Sequence, residues 1–200
     1  MHIRMFELAK HHLKTKRNIT VERGVISPTN DYYAAIKPTL SPSHHRLAMI
    51  NLALKDVQDR WIICDDWETQ QKEWIRTLPA LRHYSTVYGD NIKLLCGADL
   101  LESFLVPGLW SDDHIEEILK NYGIVALPRH GSNPWKLLHE SPKSHIFKRN
   151  QGQIDIIDNV NPIDISSTMV REAVKHGRPI DQLVHRDVAN YISNKNLYKY

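Results

Sequence analysis

The sequence predicts an α/β fold built on a doubly wound, mostly parallel sheet, and two observations point to it. Short apolar runs alternate with segments of helical periodicity along the whole chain. Strands separated by helical segments require crossover connections, which make neighbouring strands parallel. Apart from the fold, the stretch Ile165-Ser166-Ser167-Thr168-Met169-Val170-Arg171-Glu172 places hydroxyls at the mouth of a helix with an arginine one turn inside.

The elements follow in order. Ile3, Phe6, Ala9 and Leu13 mark an opening helix, followed by a strand around Ile19 to Ile26, a loop punctuated by proline, and a helix carrying Leu47, Ile50 and Leu54 on one face. A strand at Trp61 to Cys64 leads to a helix from about Thr69, which Pro79 is expected to kink or end. A strand at Ile92 to Cys96 precedes a helical stretch and then a helix from Ile115 to Tyr122, closed by Gly123. Strands at Ile124 to Leu127 and Gln153 to Ile157 come next. Last are a helix on the Ser-Ser-Thr stretch, stopped by Gly177, and a final helix from about Pro179 to Lys195.

Composition narrows the classes. Two hundred residues with 42% hydrophobic content suit one globular domain with a sizeable core. A net charge of +3 suits anionic small molecules but falls short of the basic stripe of a nucleic-acid binder. The run Lys10 to Arg17 reads as a solvated helix end. No apolar stretch approaches the roughly 20 residues of a membrane span and no signal peptide opens the chain, so an intracellular protein without a membrane partner is expected. Cys64 and Cys96 end apolar runs without CxxC spacing and read as core packing. The pairs His11-His12 and His44-His45 point about 100° apart on a helix, so neither chelates one metal unaided, and no metal ligands are assigned.

The chemistry sits at strand ends and helix starts. Free N–H groups and the positive dipole end at the Ser-Ser-Thr helix favour an anion, and Arg171 can add a bidentate grip on phosphate oxygens. Ordinary capping explains the same serines and threonine equally well. Cys96-Gly97-Ala98-Asp99 ends a strand with a glycine that permits close approach and a carboxylate able to accept from a ribose hydroxyl; a turn with Asp99 as N-cap is the alternative. Trp67 follows the second strand, Trp74 and Thr77 lie one helical turn apart and Trp110 lies in a loop; aromatics in loops or at helix starts can stack on a heterocycle, and core or surface packing is the alternative.

Taken in order, Gly24-Val25-Ile26-Ser27-Pro28, Ser43-His44-His45-Arg46, Trp67-Glu68-x-x-Gln71-Lys72-Glu73-Trp74, Leu81-Arg82-His83, Lys93-Leu94-Leu95-Cys96-Gly97-Ala98-Asp99-Leu100-Leu101, Leu109-Trp110 and Ile165-Ser166-Ser167-Thr168-x-x-Arg171 closely resemble the animal-type nicotinamide mononucleotide adenylyltransferases. The resemblance covers nearly the whole chain, down to Tyr191-Ile192 and Asn196-Leu197-Tyr198. It implies a Rossmann-like nucleotidyltransferase of NAD biosynthesis. Such an enzyme joins nicotinamide or nicotinic acid mononucleotide to ATP, with Mg²⁺ on the polyphosphate, and releases pyrophosphate. It also implies site residues. Ser166, Ser167, Thr168, Arg171 and His2 would hold ATP phosphates, His2 and Arg171 acting on the reacting groups. Gly97 and Asp99 would contact the ribose region, and Trp74, Thr77, Leu109 and Trp110 would frame the pyridine ring. Lys37 and Arg46 are candidates for the mononucleotide phosphate. Members of the family commonly assemble, so a homo-oligomer is expected.

Departures from the family pattern are also legible. Met1 to Ala9 resembles the end of the family's Gly-x-Phe-x-Pro-x-(Thr/His)-x-x-His loop and the helix after it, so residues 1–200 read as one nucleotidyltransferase domain without the family's first strand. Orphaned backbone groups cost about 1 to 3 kcal/mol each, so weak stability is expected. A catalytically inactive, nucleotide-binding or interaction fragment is therefore the alternative reading. Asn159-Val160-Asn161-Pro162-Ile163-Asp164 differs from the family's loop before Ser-Ser-Thr, and the segment between Tyr84 and Asn91 lacks a long insertion found in some relatives. A different adenylyltransferase of the same superfamily, making dephospho-coenzyme A, is a more remote alternative, against which the Trp74 and Trp110 ring site argues.

Overall fold

The structure is a computed structural model that describes residues 2–128, 134–157 and 165–199. Two compact units form, one of Met1–Phe6, Ile19–Ile75 and Ile165–Tyr200, the other of Glu7–Asn18 and Arg76–Asp164. Helix α1 (His2–Arg17) is divided between them.

In the first unit β1 (Gly24–Ile26) pairs in parallel with β2 (Ile62–Cys64), Gly24 opposite Ile62 and Ile26 opposite Cys64. Between them lie a 3-10 turn (Asp31–Ala35) and α2 (Ser43–Leu54). Glycine is required at 24, because a Cβ there would stand 2.6 Å from the Phe6 ring and 3.3 Å from that of Trp61. Helices α8 (Ser167–Lys175) and α9 (Arg186–Asn194) close this unit, burying Val170, Ala173, Val188, Ala189 and Ile192 against Met49, Leu52 and Ala53 of α2. Gly177 at φ +64 ends α8, its amide donating to the Val174 carbonyl (3.0 Å) as the left-handed helix stop requires.

The second unit carries a wholly parallel sheet in the order β3 (Leu94–Gly97), β4 (Ile124–Leu127), β5 (Ile154–Ile156). All four residues of β4 are buried, as a parallel strand with neighbours on both edges demands. Helices α3 (Thr77–Tyr88), α4 (Ala98–Ser103), α5 (Asp112–Glu117), α6 (Pro134–Glu140) and α7 (Ser144–Arg149) supply the rest of a core centred on Phe104, Leu101, Ile118 and Phe147. After α5 the chain widens to a π turn over Ile118–Tyr122 and stops at Gly123, φ +71.

The α/β class with parallel strands stands, as two sheets among the described residues. Other expectations need correction. The first strand covers only Gly24–Ile26 of the expected Ile19 to Ile26, because its ladder partner is three residues long. The helix expected from Thr69 is a 3-10 turn at Trp67–Gln70, and α3 begins at Thr77. Pro79 lies in the first turn of α3, where a missing N–H has no helical acceptor to lose, so it neither ends nor kinks a helix. The last helix starts at Arg186 instead of Pro179, since His185 accepts the Asp187 amide through Nδ1 (3.2 Å) and caps it there. The Lys10 to Arg17 run is not wholly solvated. His12 and Arg17 reach the buried Asp155 carboxylate at 3.3 and 2.7 Å. The loop Asn159 to Asp164 lies outside the described residues. No helix among the described residues is long and apolar enough to cross a membrane.

Candidate active site

The mouth of α8 is set by burial of its opposite face. Val170 and Ala173 enter the core, which leaves Ser167 and Thr168 exposed in the first turn. Ser166 is the N-cap, with extended φ/ψ (−129, 157) and an Oγ that accepts the Met169 amide at 3.1 Å. One of the three hydroxyls is thus engaged in capping, while Ser167 and Thr168 present theirs outward. Arg171, one turn in, donates through Nη2 to Thr168 Oγ1 (3.1 Å), holding the guanidinium at the helix mouth. A helix N-terminus, two exposed hydroxyls and a tethered guanidinium form a polar cluster suited to phosphate oxygens. His2 belongs to the same unit and is exposed in the first turn of α1.

The segment from β1 to α2 gathers a second group in this unit. Arg46, on the first turn of α2, donates from Nε to the Ser41 carbonyl (2.8 Å) and from Nη2 to Asp31 Oδ1 (2.9 Å). Asp31 also accepts the Ser43 amide (2.7 Å) and hydroxyl (2.9 Å). Burial works to raise the Asp31 carboxyl, but the Ser43 and Arg46 hydrogen bonds outweigh it and hold it below its ordinary value. Lys37 follows the 3-10 turn, exposed, its amide on the Tyr33 carbonyl (2.9 Å). Trp74 is half-buried with its ring 5.0 Å from that of Tyr33. Ser27, just after β1, donates to Glu68 Oε1 at 2.5 Å. Burial pushes the Glu68 carboxyl above its usual range, with Ser27 pulling the other way and Asp65 adding to the rise.

In the second unit Gly97 ends β3 and Asp99 lies in the first turn of α4, so close that a Cβ at Gly97 would collide with the Asp99 carboxylate. Glycine is what lets that carboxylate fold back over the strand end. Trp110 packs edge-on against buried Phe104 (4.9 Å, 78°), and its Nε1 donates to Ser103 Oγ (3.1 Å). Lys143 Nζ donates to the Trp110 carbonyl (3.3 Å), so the loop is pinned from both sides. Leu109 is exposed, and its carbonyl accepts from Arg76 Nη1 (3.2 Å), which ties the loop to the start of α3, where Thr77 sits. The thiols are inert by environment: burial pushes Cys64 up to about 11 and Cys96 up to about 12, nearby Asp65 and Asp99 adding to the respective rises.

The structure therefore groups the expected residues within units. Ser166, Ser167, Thr168 and Arg171 share one helix mouth. Arg46 and Trp74 are joined through the 3-10 turn by Asp31 and Tyr33, and Thr77, Leu109 and Trp110 through Arg76. Sequence reading does not single out Asp31, Asn30 or Tyr33, and it places Glu68 in a motif without giving it a role. An acid, an amide and a tyrosine in a loop carry no spacing signal, and only folding shows what they touch.

Comparisons with known proteins bear on the family and the fold. The cytidylyltransferase-like family matches residues 1–173. A nicotinamide-nucleotide adenylyltransferase of Drosophila melanogaster is 35% identical over all of this chain, which spans 58% of that relative's length. Nicotinamide/nicotinic acid mononucleotide adenylyltransferases of Bos taurus (33% identical) and Oryza sativa subsp. japonica (36%) match 99% and 100% of this chain, which spans 83% and 80% of them. Among solved structures, Plasmodium falciparum nicotinic acid mononucleotide adenylyltransferase complexed with NaAD superposes with a TM-score of 0.68, covering 98% of this chain and 91% of that one, at 16% identity. That likeness shows the fold, a Rossmann-like nucleotidyltransferase. On the matched residues and the identity to these relatives, the chain belongs to the nicotinamide/nicotinic acid mononucleotide adenylyltransferase family of nucleotidyltransferases, which serve NAD biosynthesis.

Proposed function

We propose that this chain joins nicotinamide or nicotinic acid mononucleotide to ATP, yielding the dinucleotide and pyrophosphate. Family membership supports the reaction class. The observation that carries the reading to particular atoms is the mouth of α8, where Arg171 is held on Thr168 beside exposed Ser167.

The reaction needs positioning and charge neutralisation more than proton transfer. A mononucleotide phosphate, with a second pKa near 6, is already largely ionised at neutral pH and needs no general base. One of its oxygens bonds to the α-phosphorus of ATP while the bond from that phosphorus to the α,β-bridging oxygen breaks. Pyrophosphate leaves with the electron pair, and no covalent enzyme intermediate forms. In the first unit Ser167, Thr168 and Arg171, with the α8 amides, take the ATP polyphosphate, and His2 serves the same group. Ser166 acts there by capping the helix. Lys37 offers an exposed cation for the mononucleotide phosphate. Arg46 offers one already balanced by Asp31, so its part is to hold α2 and the 3-10 turn in register as well as to attract the anion. Trp74 supplies a face for the pyridine ring. The second unit, taken by itself, offers the Asp99 carboxylate over Gly97 to ribose hydroxyls, and Trp110, with Leu109 and Thr77, as a surface suited to a pyridine ring. Mg²⁺ enters as the counter-ion of the ATP polyphosphate, where it neutralises charge. Among the described residues no three His, Cys, Asp or Glu side chains converge to hold a metal, and an ion carried on ATP needs no such set.

The test is which triphosphate is consumed. Product that appears with ATP and either mononucleotide, and not with CTP, is expected. Cytidylyl transfer in place of adenylyl transfer would overturn the reading.

A further inference from the structure

Asn30 occupies the N-cap position of the 3-10 turn Asp31–Ala35 but caps nothing. An asparagine there ordinarily turns its side chain onto a backbone amide of the same turn. Here it is directed elsewhere: Nδ2 donates to the Glu73 carbonyl, with the Gln71 carbonyl 3.5 Å away, more than forty residues along the chain. The residue is almost wholly buried, 1% exposed, and its Oδ1 has no hydrogen-bond partner in the protein. Burying an amide with an unmatched oxygen is a poor way to stabilise a loop. What the arrangement provides is a two-proton donor facing backbone carbonyls of the segment that ends at Trp74. Aspartate could not donate there, and an aliphatic residue would leave those carbonyls unmet. Three residues further on, Tyr33 meets the Trp74 ring at 5.0 Å and 38°. One short turn thus grips the backbone just before Trp74 and touches its ring.

We propose that Asn30 is a positioning residue for the mononucleotide: by holding the backbone at residues 71–73 it fixes where the Trp74 ring lies. The proposal rests on the reading above that Trp74 meets the pyridine ring. Asn30 touches no substrate in this scheme, so its effect is confined to one substrate and passes through one side chain.

A double-mutant cycle tests this on the purified chain, with KM for mononucleotide and for ATP measured for the wild type, Asn30→Ala, Trp74→Ala and the double variant. Asn30→Ala is expected to raise the mononucleotide KM about three- to tenfold, as loss of one buried hydrogen bond would, while the ATP KM moves less than about twofold. In the Trp74→Ala background the same substitution should add nothing. Independent, multiplying effects of the two substitutions, or equal rises in both KM values, would overturn the proposal and leave Asn30 a structural residue. An unchanged mononucleotide KM in Trp74→Ala alone would overturn the placement of Trp74 itself, a separate failure. If Asn30→Ala does not fold by circular dichroism, Asn30→Ser, which keeps a shorter donor, takes its place in the same cycle with the same outcomes.

Discussion

Arg46 donates to the Asp31 carboxylate across 2.9 Å, so the cation that the sequence offers for a phosphate is already engaged by an acid fifteen residues earlier. The pair organises the start of α2, because Asp31 also holds the Ser43 amide and hydroxyl.

That relationship has a pH signature. The folded carboxyl of Asp31 lies below its ordinary value, so its contribution to stability is present above about pH 4 and is lost as pH falls through the folded value. Asp31→Asn removes the charge at every pH. Thermal melting from neutral pH downward should show wild type and variant differing most near neutrality and converging in acid. The difference is modest, since Asp31 is half exposed. Curves that stay parallel across the acid range would contradict this.

At the mouth of α8, Arg171→Ala is expected to cost about 2 to 4 kcal/mol of transition-state stabilisation, the loss typical of one preorganised charged donor. Steady-state kcat/KM for ATP measures it. Unchanged turnover would remove Arg171 from the phosphate site and leave α8 as an ordinarily capped helix.

Trp110→Ala should raise the mononucleotide KM more than the ATP KM, because the ring is pinned in a loop by Ser103, Phe104 and Lys143 and its proposed contact is with the pyridine ring. Equal effects on both would contradict that placement.

The thiols should be silent in the native state. With Cys64 pushed up to about 11 and Cys96 up to about 12, almost no thiolate exists near pH 8. Labelling by a thiol-specific reagent should appear only with denaturant. Rapid labelling of native protein would show that the environment of Cys64 or Cys96 has been misjudged.

How much of this was legible in the sequence varies with the physics that fixes each part. The helix on Ser167 to Lys175 could be read fully, since hydroxyl cap, apolar stripe at Val170 and Ala173 and glycine stop all lie within twelve residues. The buried strand Ile124–Leu127 was equally plain, an apolar run following a glycine. The extent of β1 was not, because ladder length depends on β2, whose three residues lie far along the chain. The start of α3 is not legible, because a proline that breaks a helix interior serves well in a first turn, where Pro79 lies. Of the candidate site, the residues in contiguous motifs are legible as candidates. Asn30, Asp31 and Tyr33 are not, because their contacts are with partners more than ten residues away that no local pattern reveals.

Adenylyl transfer by this chain is tested most directly by supplying the purified protein, shown to be folded by circular dichroism, with nicotinamide mononucleotide, ATP and Mg²⁺ and measuring both products. NAD and pyrophosphate should appear in equal amounts and only when both substrates are present. A folded sample that forms neither, with nicotinic acid mononucleotide as well as with the amide, would contradict the proposed reaction.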